Sequence, residues 1–333
     1  MKLKRKKIVL LITITILIGF IGQNMYSIAH SDIKTSSDPD VKVVATTNLL
    51  RDFAQQVIGD KGDVSVIIEG GSCPGHYDYS PSDINLVSSA DIVFAHGFEW
   101  EQFLEELLDA AGKLDAAYNV SIQYKQWGDP RDAPLFVNEV YEILNETYPS
   151  LNETFTQNKN NYIDVINGFK TYIEANNKHL YNFNGTKAYI SAHQKKFLQW
   201  LEFNITGDWG WKDDNSMTPG DLEDIIDGAE QTGAEIIVMN YQSGTEMGKE
   251  AAEELNIKSA ALTNFPGVYG TGTYIEQLEF NIALLHHVLN GGPDPRPSSS
   301  DDTIGINLLI PILISAVASI ALVIYLKRKA LFE

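Results

Sequence analysis

From residue 41 onward, short apolar runs alternate with segments whose apolar residues recur at three- and four-residue steps. "VKVVATT" is a run without polar alternation, the pattern of a strand buried on both faces, and "NLLRDFAQQVIGD" then shows helical spacing. "DVSVIIEGG" reads as a second strand and leads into the glycine-rich stretch "GGSCPGHYDYSPSD". "SPSDINLVSSA" places Pro81 and Ser82 where a helix begins, with Asp83 positioned to satisfy free backbone N–H groups. "DIVFAHG" is a third strand and "EWEQFLEELLDAAG" a third helix. This β-α-β-α order predicts a parallel sheet covered by helices.

A long polar-amphipathic stretch interrupts the alternation between about residues 135 and 180. "FVNEVYEIL" predicts one helix. "FTQNKNNYIDVINGFKTYIEANNKHL" predicts a much longer one, with Tyr162, Val165, Phe169, Tyr172 and Ile173 on one side. Alternation then resumes: strands at "TKAYISAH", "AEIIVMN" and "IKSAAL", helices at "QKKFLQWL", "DLEDIIDGAEQTG", "GKEAAEELN" and "YIEQLEFNIALLHHVLN". The expected fold class is α/β, two lobes with parallel sheets joined by a long connecting helix, plus a C-terminal transmembrane helix. The boundaries are an N-terminal α/β lobe over 41–134, a helical segment over 135–181 and a C-terminal α/β lobe over 186–291. A Pro-, Gly- and Ser-rich stalk over 292–303 precedes the anchor at 304–326.

Both ends carry membrane signals. "MKLKRKK" before a short apolar run, with small residues Ser27 and Ala29 downstream, predicts a signal peptide over 1–29. Residues 304–326 run uncharged, long enough to cross the hydrocarbon core, and "KRK" follows at once. The positive-inside rule then predicts a single-pass cell-membrane protein with its large domain on the extracellular side. The formal net charge is −19, and eight of the 25 basic residues lie at the two ends, so the body is strongly acidic. No basic face is left to neutralise phosphates, which argues against nucleic acid as a partner. One cysteine excludes an internal disulfide. Sequons begin at Asn119, Asn145, Asn152, Asn184 and Asn204, the expectation for a glycoprotein; with the C-terminal anchor they point to an archaeal host.

The candidate chemistry sits just after the strands, where parallel α/β sheets bind ligands. Cys73, His76 and Asp78 follow the second strand; His193 and Gln194, Asn240 with Gln242, and Asn264 follow three later ones. Imidazoles and a thiolate are donors for zinc or another borderline-soft ion, whereas neutral amide oxygens alone hold a transition metal weakly. Cys73 equally fits the tight "GGSCPG" turn as a small residue, and Asp78 equally braces its loop. No HExxH-type helix motif occurs, so no hydrolase is expected.

At these residues the chain resembles the metal-binding receptors of zinc and manganese ABC importers. "HYDYSPSD" resembles the family's first ligand loop, "SAHQKKFLQWLEF" a second-lobe ligand loop, and "ALTNFPGVYGTGTYIEQLEFNIALL" the last ligand loop with its closing helix. The resemblance covers roughly residues 41–290. It implies a receptor rather than an enzyme, binding a divalent transition metal in the interlobe cleft as transported ligand, zinc foremost, with no catalytic cofactor. The implied partners are an ABC permease and a cytosolic ATPase. The implied metal ligands are His76, His193 and Asn264, with Cys73, Asp78, Gln194, Asn240 and Gln242 as further contacts. The chain departs from the family at Arg131, where a histidine is usual, and at Asn264, where an aspartate is usual. A guanidinium cannot ligate metal. Those departures leave open a same-fold receptor for a chelated metal or small organic solute, or a non-transport surface adhesin.

Overall fold

The computed structural model describes residues 41–97, 101–120 and 125–297, apart from the side chains at 178 and 179. The expected signal peptide (1–29) and membrane anchor (304–326) lie outside these residues. Among the described residues no helix is long and apolar enough to cross a membrane.

Two four-stranded parallel sheets organise the chain. The first has the order β2 (Val64–Ile68), β1 (Val43–Thr47), β3 (Ile92–Ala95), β4 (Ala117–Asn119), with Val43 opposite both Val64 and Ile92. The second has the order β6 (Asn204–Asp208), β5 (Lys187–Ile190), β7 (Ile236–Asn240), β8 (Lys258–Leu262). β1, β3 and β7 are buried along their whole length, which is why they read as mostly apolar runs without polar alternation. β4 and β6 were not expected from the sequence. Both are edge strands, no more than half-buried, so neither needs an apolar run.

Helices follow most strands, as right-handed crossovers require. They are α1 (Asn48–Ile58), α2 (Pro81–Ser88), α3 (Leu104–Ala110), α4 (Ala133–Thr147), α5 (Asn152–Asn176), α6 (Lys195–Trp200), α7 (Pro219–Thr232), α8 (Glu246–Glu254) and α9 (Tyr274–Asn290). Asp83 caps α2 as expected, its Oδ2 accepting from the Ser80 N–H at 2.7 Å.

α5 is the long connecting helix. Its 25 residues span about 37 Å at 1.5 Å per residue. It buries Phe155, Tyr162, Ile166, Phe169 and Ile173, a stripe packed on α1 and α4. The expected stripe placed Val165 there; Val165 is 41% exposed, and Ile166 takes the inward position because a 3.6-residue period from Tyr162 lands on it. The apolar core runs continuously from the first sheet through α5 to the second.

Direct bonds also join the two halves. Asp52 of α1, almost fully buried, accepts from Tyr162 Oη of α5 at 2.7 Å and from the Tyr274 N–H of α9 at 2.9 Å. Burial raises its pKa, and the Tyr274 and Tyr162 donors temper that rise. Gln242 Nε2 donates to the Gly70 carbonyl at 2.8 Å, and Asn48 Nδ2 to the Pro266 carbonyl at 3.3 Å. A side chain at Gly70 would lie 2.1 Å from the Pro266 oxygen, so only glycine permits this backbone approach.

Candidate functional site

The carboxyl ends of β2, β6 and β7 converge on one open cavity of about 600 Å³. Cys73, His76, Tyr77 and Asp78 line it from the loop after β2; Asp213 and Asp214 come from the loop after β6; Tyr241 and Gln242 follow β7. His76 closes a short turn, Pro74–His76, and its Nε2 meets Asp213 Oδ2 at 2.9 Å across the cleft. The side chains are 53% and 19% exposed, so the pair sits at the mouth. Some burial works against the Asp213 charge, but the hydrogen bond and charge of His76 hold its carboxyl below the usual range. Asp213 Oδ1 accepts from the Ser216 N–H at 3.1 Å, which fixes the carboxylate.

Cys73 lines the same cavity, half-buried. Desolvation pushes its thiol up, and the nearby Asp213 carboxylate adds to this against the Gly75 N–H, so the thiol is held protonated rather than as a ready thiolate. Asp78 is exposed on the cavity wall.

The remaining expected contacts form a second group. Gln194 Nε2 points at three oxygens, Asn264 Oδ1 at 2.9 Å, Asn240 Oδ1 at 3.1 Å and the Leu262 carbonyl at 3.3 Å. Asn240 Nδ2 donates to Ser243 Oγ at 2.6 Å, and Gln242 Oε1 accepts from the Asn264 N–H at 3.0 Å. These amides are neutral and are hydrogen-bonded to one another or to Ser243, Gly70 and Thr263, so they bring no charge to a cation. His193 has hydrogen-bond and ring partners of its own, with Asp213 near enough to act on it electrostatically. Its Nδ1 lies 3.0 Å from Ser191 Oγ, and its ring meets Trp211 edge-on at 4.8 Å. Burial lowers its pKa to about 4, with Asp213 acting in the opposite direction. Arg131 forms a bidentate pair with Asp129, at 2.8 and 2.6 Å.

His76, His193 and Asn264 therefore have separate partners. Among the described residues, no group of three or more His, Cys, Asp or Glu is placed to hold a metal ion. Asp213 is the residue that sequence reasoning missed. Its signal is the acidic pair in "WGWKDDN", hidden because the strand before it was not recognised.

Below the cavity the seam between the halves is aromatic. His96, Trp127 and Phe265 form a three-ring cluster, with His96 4.6 Å from Trp127 and 5.6 Å from Phe265 and those two rings 6.0 Å apart, and His96 Nε2 lies 2.8 Å from Thr47 Oγ1. Trp127 Nε1 donates to the Asn264 carbonyl at 3.3 Å. Complete burial lowers the His96 pKa to about 3. Beside it Glu101, fully buried, accepts from the His96 and Gly97 N–H groups at 2.8 and 3.1 Å. Burial pushes Glu101 up to about 7. The Thr46 hydroxyl lies near enough to temper the rise, yet Thr46 Oγ1 and Glu101 Oε1 complete no hydrogen bond of normal geometry.

A raised carboxyl stabilises the fold below its unfolded value of 4.5 and loses that contribution as pH rises through about 7. Glu101→Gln should therefore flatten the decline in stability between pH 5 and 8, by roughly 3 kcal/mol at the alkaline end. Urea titrations at stepped pH measure it, and parallel curves for the two proteins would refute it.

Comparison with known proteins places this architecture. Residues 43–288 match the ZnuA family, described as the periplasmic component A of a zinc-uptake complex. The chain belongs to that family. The ZnuA family comprises substrate-binding receptors of metal ABC importers, not enzymes. A manganese-binding lipoprotein, MntA, from Halalkalibacterium halodurans is 21% identical over 270 residues, covering 75% of this chain and 89% of the relative. Among solved structures, the substrate-binding protein FpvC of Pseudomonas aeruginosa, in complex with Mn²⁺, superimposes with a TM-score of 0.65 at 16% identity, over 74% of this chain and 97% of that one. A laminin-binding adhesin from Streptococcus agalactiae gives 0.62 at 16%, over 74% and 98%. At such identities the structures speak for the fold. Within the ZnuA family, this chain carries Asn264 where the resemblance implied an aspartate and Arg131 where it implied a histidine.

Proposed function

We propose that this chain is the extracytoplasmic solute receptor of an ABC importer. It takes a divalent transition metal of the zinc or manganese class into the cleft between its two sheets. It then hands the metal to a membrane permease driven by a cytosolic ATPase. The observation that carries the reading is the interlobe cavity, where His76 from one half faces Asp213 from the other. Imidazole nitrogen and carboxylate oxygen are both ligands for ions of this class. Strand-end loops from both halves meet there, the usual place for a ligand in parallel α/β sheets.

Residues 304–326, uncharged and followed by Lys327, Arg328 and Lys329, would anchor the receptor with its body outside. Tethering raises the effective concentration of the receptor at its transporter. The test is elemental analysis with native mass spectrometry on the full chain in detergent micelles. One equivalent of transition metal per chain, retained through desalting, is expected. A metal-free chain that takes up none from buffered zinc or manganese would end this reading.

A further inference from the structure

The reading just given leaves open the form in which the metal arrives. We propose that the metal comes as a chelate, and that His76 Nε2 and Asp213 Oδ2 capture it as two neighbouring ligands. The proposal rests on the receptor function above and deepens it.

The pair already has the right spacing. Its N···O distance is 2.9 Å. Two donors each about 2.1 Å from an ion, at about 90° to one another, lie about 3 Å apart. An ion can therefore sit against both groups with little movement of either loop. The two ligands come from opposite halves, so the bound ion would bridge the cleft mouth. Asp213 is held ready by the Ser216 N–H, and His76 is exposed enough to turn toward an incoming guest.

Two protein donors leave most of the coordination sphere unfilled. Among the described residues no third His, Cys, Asp or Glu joins this pair in a metal-holding group. Gln194 Nε2 is committed to the side-chain oxygens of Asn240 and Asn264, and Gln242 to Gly70, Thr263 and the Asn264 N–H. The missing ligands must come with the cargo.

Size points the same way. Six water-sized ligands occupy about 180 Å³ at about 30 Å³ each. The cavity offers about 600 Å³, a volume typical of sites for small organic molecules. Charge narrows the class further. Asp78 and Glu246 also line the walls, so a carboxylate-rich chelator would be repelled. Neutral or amine ligands, giving a complex of net positive charge, suit this cleft. Tyr77 and Tyr241 offer ring surface to the organic part.

The experiment uses the full chain in detergent micelles and two probes, hydrated Ni²⁺ and Ni²⁺ capped by diethylenetriamine. Calorimetry should find the capped ion bound at least about ten-fold more tightly than the hydrated one. Its visible absorption band should shift as an imidazole enters the sphere. His76→Gln and Asp213→Asn should each weaken the capped ion by about ten-fold or more, while Glu146→Gln, on the exposed last turn of α4 and outside the cavity, leaves it unchanged. Asn at 213 retains an oxygen for the Ser216 N–H, so that loop should persist. Equal or tighter binding of the hydrated ion overturns the chelate and leaves metal reception standing. Capped-ion binding indifferent to both variants also overturns it. A native chain that binds neither probe overturns the chelate, and the zinc and manganese uptake test given above then decides the receptor function on its own.

Discussion

Asp52→Ala is expected to cost the folded chain about 3–4 kcal/mol. The carboxylate is 5% exposed and accepts from Tyr162 Oη, the Tyr274 N–H and Gln56 Nε2. Alanine would leave the phenol and the α9 amide buried without an acceptor, at about 1–3 kcal/mol each. The loss should appear in urea unfolding as a lower midpoint with little change in slope. Tyr162→Phe removes a donor and leaves Asp52 its other two bonds, so about 1 kcal/mol is expected there. Asp52 joins α1, α5 and α9, the three helices that tie one sheet to the other. If Asp52→Ala proves as stable as Tyr162→Phe, the carboxylate is not the pin described here.

Gly70→Ala is expected to be nearly as damaging, at about 2–3 kcal/mol. The added carbon would lie 2.1 Å from the Pro266 oxygen and 2.6 Å from Gly267 Cα. Both obstacles are backbone, so the loops after β2 and β8 must part. The Gln242–Gly70 and Asn48–Pro266 bonds would lengthen with them. Gly168→Ala is the matched control. It lies within α5 with no neighbouring atom within 4 Å of the new carbon, and should stabilise by about 0.5–1 kcal/mol. Parallel urea curves decide the matter: Gly70→Ala and Gly168→Ala moving in the same direction would remove the argument from close approach.

The strands and helices that do the burying were legible, because burial writes itself into residue type. β1, β3 and β7 are buried throughout and mostly apolar, and the capping residues of α2 announce its start. β4 and β6 escaped because edge strands need only part of one face covered. Missing β6 had a consequence for function. The loop after it carries Asp213, and a loop that follows no recognised strand is not searched for ligands. His76 was legible from its turn; its partner lies 137 residues away, and no local pattern records that distance. The amides after β5, β7 and β8 were each visible as strand-end polar residues. That Gln194, Asn240 and Asn264 hydrogen-bond to one another while Gln242 lines the cavity is a property of side-chain direction in the folded chain.

The seam below the cavity is held mainly by amide–carbonyl bonds and stacked rings, whereas its mouth is held by an imidazole facing a carboxylate. These respond differently to ionic strength. With His76 protonated the mouth is an ion pair, and at a Debye length of about 3 Å in 1 M salt its attraction fades, while neutral bonds in a dry seam persist. In brine, then, the floor of this acidic chain should stay shut while its entrance loosens, so that concentrated salt speeds the exchange of a guest without loosening the joint between the halves.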